Sequence, residues 1–144
     1  MHKWHKIISI IIFLIVVLLT YIFKIHIDEQ LTSDLLTVVS IMLGFTLTSI
    51  STLIGQDFTK KLRNEIDTNT DRKQTQLQTL SIYYKVSFLL GIIIIISLVF
   101  IRFLPSCSHF KKIYDSIVLG FNADNFYISY LLTKILIRSL REVK

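Results

Sequence analysis

Apolar residues in this chain gather into long runs separated by short polar intervals. Ile7 to Phe23 is seventeen residues without a charge, Leu35 to Ile54 is twenty, and Val86 to Ile101 is sixteen. At 1.5 Å per helical residue, seventeen residues cover roughly 26 Å, close to the ~30 Å hydrocarbon core of a bilayer. The pattern predicts spans at about 7–23, 35–54 and 81–104. Trp4 and Tyr21 flank the first at positions suited to the two interfaces. Lys85 and Arg102 flank the third, where long basic side chains snorkel outward. A fourth apolar stretch, 113–137, carries Asp115, Asn122, Asp124, Asn125 and Lys134. It reads either as a fourth span or as amphipathic helices lying on the membrane.

The intervals are short and polar. Lys24 to Asp34 is a loop with one lysine and three acids, and Asp34 reads as the N-cap of the second span. Residues 57–85 form the longest polar stretch, with six bases and four acids. Phe58, Leu62 and Ile66 share a helical face, and Thr68 to Asp71 reads as a turn. That predicts a helical hairpin between the second and third spans.

Composition agrees with the pattern: 52% of residues are hydrophobic and 18% charged, and mean hydropathy is +0.60. That is too little charge to coat a water-facing domain, where about 25% is usual. The expected fold is an all-α integral membrane protein with 1–144 as a single membrane domain. It is a four-helix transmembrane bundle with a cytoplasmic hairpin. The N-terminal run is longer than a signal-peptide core and no small-residue cleavage site follows it, so it reads as an uncleaved helix.

Charge sets the expected orientation. The net charge is +6, and the bases sit beside apolar runs, which suits helix orientation and not nucleic-acid binding. With four spans and the N-terminus inside, twelve bases lie inside and four outside; with three spans the split is eight and eight. The positive-inside rule favours four spans with both termini cytoplasmic.

The second span differs in character from the first. Ser40, Gly44, Thr48 and Thr52 recur every four residues and form one small-residue ridge. Such ridges let helices approach closely in lipid, either inside a monomer or at an oligomer seam, and a hydroxyl face could also line a pore. Ser87 and Gly91 form a second packing pair. Asn122, Asp124 and Asn125 are the candidate intramembrane polar group. Lys134, Arg138 and Arg141 make a cytoplasmic basic face, for lipid headgroups or an acidic partner.

No catalytic motif is present: there is no phosphate-binding glycine loop, HExxH, GxSxG or CxxC. The single cysteine, Cys107, cannot form an intrachain disulfide. His2 and His5 read as part of an interfacial basic cluster, and His26 and His109 as loop residues. The expectation is a chain that is not an enzyme, with no metal and no cofactor.

The segment Leu36 to Phe58, LTVVSIMLGFTLTSISTLIGQDF, resembles small multi-span proteins encoded beside anti-phage defence genes in bacteria. Those carry a Gly-Phe within a Ser/Thr-rich helix, then a short polar helical stretch and another span. Gly44-Phe45 and the stretch to Tyr84 fit that outline, and the likeness covers Leu36 to Phe103. It implies an oligomeric sensor or effector at the bacterial inner membrane, with a cytosolic partner at the 57–85 hairpin. The alternatives are a channel or transporter-like subunit, with Asp124 and the hydroxyl face lining a path, or a passive assembly subunit.

Overall fold

The computed structural model describes residues 3–54, 76–103 and 109–141. Among the described residues are four helices: α1 (Lys3–Ile22), α2 (Glu29–Ile54), α3 (Gln76–Ile101) and α4 (His109–Arg141). Three of them hold stretches long and apolar enough to cross a membrane, Trp4–Ile22, Glu29–Ser51 and Leu77–Ile101. The described residues are thus all-helical, and three helices of that length and hydropathy fit a membrane-associated protein. Most of the predicted 57–85 hairpin lies outside the described residues; its last part, from Gln76, is the start of α3.

The ends of α1 and α2 follow from local hydrogen bonding. α1 stops in a Schellman turn. The Ile25 amide donates to the Thr20 carbonyl (3.1 Å) and the Lys24 amide to that of Tyr21 (3.3 Å). Lys24 takes the left-handed conformation, φ 53°, that this turn requires. A non-glycine residue there costs roughly 1 kcal/mol or more. Lys24→Gly should therefore raise the stability of the detergent-solubilised protein by about 0.5–1 kcal/mol, after allowing for glycine's extra chain entropy. Lys24→Val should lower it; equal thermal midpoints for the two variants would contradict the turn.

α2 begins six residues before the second apolar run. Asp28, not Asp34, is its N-cap: the Asp28 carboxylate accepts the Leu31 amide at 2.7 Å, and its carbonyl accepts the Thr32 amide at 3.0 Å. Asp34 lies exposed within the helix. Charges at a bilayer edge do not end a helix, so polarity alone placed the boundary too late.

The helices lie in an antiparallel row, and the row does not follow chain order. α4 sits between α1 and α3, and α2 packs on the far side of α3; α1 and α2 do not pack together. Two apolar clusters fill the interior. One joins Leu80, Tyr83 and Tyr84 of α3 to Ile128, Leu131 and Leu132 of α4. The other gathers Ile27, Val39, Ile94, Leu98, Ile101 and Val118 near the α1–α2 connection. Glycines mark two close approaches. A Cβ on Gly91 would fall 2.6 Å from Leu43 Cδ2 of α2, and one on Gly120 would fall 2.7 Å from Val17 Cγ2 of α1. α1 is otherwise exposed and apolar on nearly every side, with Trp4, Ile10, Leu14 and Leu18 all outward.

Candidate functional site

The polar residues of α4 turn inward. Asp115, Ser116, Asn122 and Asn125 are all buried, Asp115 completely. The reason is periodic: residues 115, 122, 125 and 129 step by seven, three and four, the spacing of one helix seam. A helix flanked on two sides has no other interior to offer them. Asn122 and Asn125 lie between the two apolar clusters, and Asp115 lies beyond Val118 of the second.

On the α3 side, the Ser87 hydroxyl donates to Asn125 Oδ1 at 3.2 Å and lies 3.4 Å from the Ser129 hydroxyl. One turn earlier on α3, the fully buried Tyr83 hydrogen-bonds through its hydroxyl to Nδ1 of His5. The His5 and Tyr83 rings also meet edge to face, with centroids 5.9 Å apart. On the α1 side, Ser9 donates to Asp124. Asp124 therefore pairs across to α1, and the exposed Lys134 stands apart on its own helix.

Asp115 marks the end of the seam nearest the α1–α2 connection, outside the three apolar stretches. Its Oδ2 accepts the Ile27 amide at 3.2 Å and lies 3.8 Å from Nδ1 of the half-exposed His26. Burial pushes the Asp115 carboxyl above the usual carboxylate range, while the Ile27 amide, Lys111 and His26 pull the other way. Its Oδ1 is buried with no hydrogen-bond partner among the described residues, and so is Oδ1 of Asn122, whose amide nitrogen donates to the Val118 carbonyl (2.9 Å).

The small-residue ridge of α2 lies elsewhere. Ser40, Gly44 and Thr48 are exposed, and a Cβ on Gly44 would meet nothing within 4 Å. The Thr52 side chain lies outside the described residues. The Thr48 hydroxyl donates to the Gly44 carbonyl at 2.8 Å, and that of Thr37 to the Ser33 carbonyl at 2.9 Å. These hydroxyls are satisfied by their own helix, so an apolar surrounding leaves them no unmet hydrogen bond. In the second pair, Ser87 faces Asn125 and Ser129 of α4, and Gly91 faces Leu43 of α2. The basic face is represented by exposed Lys134; the side chains of Arg138 and Arg141 lie outside the described residues, as does His2.

The structure thus gathers Asn122 and Asn125 with Asp115 in one seam and sends Asp124 to its α1 side. Sequence reasoning missed His5, Ser9, Tyr83 and Gly120 as contact residues. The Asp115–Asn122–Asn125–Ser129 spacing was readable in advance; the His5–Tyr83 contact was not, because nothing local links residues seventy-eight apart. Among the described residues, no three His, Cys, Asp or Glu side chains come together as a metal site would need. Comparison with protein families, curated proteins and solved structures gives no match for this chain.

Proposed function

We propose that the chain is a non-enzymatic, four-span subunit that self-associates in a bacterial inner membrane, as a sensor or effector of an anti-phage defence system. The observation that carries the self-association is the outward ridge. Among the described residues, Ser40, Gly44 and Thr48 make a shallow exposed strip that no other helix covers, and Gly44 has open space before it. Two helices meet closely in lipid on such strips, because small side chains let the backbones approach.

The fourth span is the part of α4 between Asp115 and Lys134, eighteen residues. That length covers roughly 27 Å. Its polar groups are the inward ones, so its outer surface stays apolar enough for lipid. A four-span reading gives both termini and the 57–85 stretch one side, and the base count supports that side as the cytoplasmic one. There the charged stretch is available to a cytosolic partner. The defence role rests on the resemblance of Leu36 to Phe103.

Gly44→Leu tests the assembly. The variant should leave the protomer fold intact, since among the described residues a Cβ at Gly44 meets nothing within 4 Å. It should reduce the mass of the detergent-solubilised particle to that of a single chain, read by light scattering. An unchanged particle mass would remove the ridge as the seam. For the role itself, cells carrying the gene with its neighbours should plate phage poorly, and Gly44→Leu should restore plating.

A further inference from the structure

We propose that Asp115 is a proton-operated latch on the α1–α2 connection: its neutral carboxyl holds the connection against α4, and loss of the proton lets the connection go. The latch rests on neither the number of spans nor the oligomer. The Ile27 amide donates to Asp115 Oδ2 at 3.2 Å, although the two residues are 88 apart in sequence. The Ile27 side chain is buried with Ile101 and Val118 in the second apolar cluster. One amide and one side chain thus dock the connection on α4. The carboxyl that takes the amide is completely buried, and its Oδ1 has no donor among the described residues. The half-exposed His26 stands 3.8 Å from Oδ2, beyond hydrogen-bonding distance. Lys111 of the same helix also favours the ionised form; among the described residues, α1, α2 and α3 bring no charged group to bear on it.

The competing reading is a permanent anchor, a carboxylate that holds the Ile27 amide at every pH. A buried carboxylate is costly unless donors serve both its oxygens or a base pairs closely with it. Here one oxygen is unserved and the histidine stands off. A carboxylic acid fits better: Oδ2 is its carbonyl, accepting the Ile27 amide, and the proton rests on Oδ1. Burial accordingly outweighs the Ile27 amide, Lys111 and His26 and raises the carboxyl above its ordinary range. The sign follows from linkage. The docked carboxyl binds its proton more tightly than the released one, which titrates at about 3.9. Docking is therefore strongest below that pH. It weakens by about tenfold per pH unit as pH rises toward the docked carboxyl's own value, and levels off beyond it. Protonated His26 opposes the latch by favouring the carboxylate, which narrows that interval. What is let go is the junction of α1 and α2. Those helices do not pack on each other, so the proton sets how their shared end is tied to α4.

The test follows hydrogen exchange of the Ile27 amide by NMR, in the full chain in detergent micelles, corrected at each pH for the intrinsic rate of a free amide. In the native chain its protection should fall with rising pH, by about tenfold per unit over part of the range from about pH 4 to about pH 8. Asp115→Asn keeps a neutral acceptor for the Ile27 amide and cannot ionise. Its protection should stay level and exceed the native value at the alkaline end. His26→Gln should carry the native fall to higher pH. Level protection in the native chain would overturn the proposal. So would an Asp115→Asn protein less protected than the native one at the alkaline end, which is what a permanent carboxylate anchor predicts. An equal fall at the Leu98 amide, inside α3, would mean general unfolding and would overturn it too. If Asp115→Asn does not fold, the native profiles of Ile27 and Leu98 decide, since a permanent anchor gives no fall confined to Ile27.

Discussion

Gly120→Leu should separate α1 from the rest of the bundle. A Cβ at Gly120 already falls 2.7 Å from Val17 Cγ2 and 3.0 Å from Phe13 Cδ2 and Cε2. Phe13 is held in turn against the Phe121 ring, with centroids 5.0 Å apart, so it has little room to retreat. Leucine adds three further carbons beyond the Cβ. Overpacking costs about 1–3 kcal/mol, occasionally more, and this case belongs at the upper end. Domain stability is only about 5–15 kcal/mol, so much of it would go. The thermal midpoint in detergent should fall by about 10 °C. α1 touches the bundle mainly through α4, so its departure would also free His5 and Ser9 from their partners. A Gly120→Leu protein with the wild-type midpoint would mean that α1 packs elsewhere.

The other glycines grade that effect. At Gly91 the nearest atom is Leu43 Cδ2, the far end of a side chain that can rotate, although Cγ at 2.9 Å limits the escape. Gly91→Ala should cost less than Gly120→Ala. At Gly44 no described residue lies within 4 Å of a Cβ, so Gly44→Leu should spare the protomer and test the proposed assembly alone. One substitution type at three positions thus separates internal packing from an outer surface.

The apolar runs were fully legible, because length and hydropathy are local properties of the chain. Helix ends were less so. Asp28 and Asp34 are both acids before an apolar run, and only the backbone tells which one caps. The order of packing was not legible at all. α1 and α2 adjoin in sequence yet do not pack together, while α1 and α4, far apart in sequence, pack along their length. What brings them together is complementarity: Gly120 admits Phe13 and Val17, and Asp124 accepts from Ser9. Neither match is visible from one helix alone. The same holds for the ridge of α2. Its spacing showed that a smooth strip exists, but whether that strip faces α3 or the outside depends on Leu43 fitting Gly91. The ambiguity of 113–137 had a physical source as well. Its polar residues offset its apolar ones in bulk composition, and only the fold shows that Asp115, Asn122 and Asn125 are buried.

A single cysteine at Lys144 should be shielded from a membrane-impermeant thiol reagent in intact cells and should react fully after lysis. Cys107→Ser supplies the background, since Cys107 is the chain's one cysteine. The reasoning runs through α4. Its Gly120 and Asp124 register with Val17, Phe13 and Ser9 runs it antiparallel to α1, which brings Arg141 to the end where Lys3 lies. Positions 134, 138 and 141 of α4 then lie toward the end of the bundle that holds Lys3 and Lys6, and the inward preference of bases predicts that end to be cytoplasmic. A second cysteine variant, His26→Cys, should behave oppositely and react in intact cells, because His26 lies half-exposed at the other end. Labelling of Lys144→Cys without lysis would put the C-terminus outside and leave three spans. Asp124 and the α4 seam would then sit at the membrane surface. Opposite labelling of the two positions would instead place the full length of the seam, from Asp115 to His5, between two aqueous compartments.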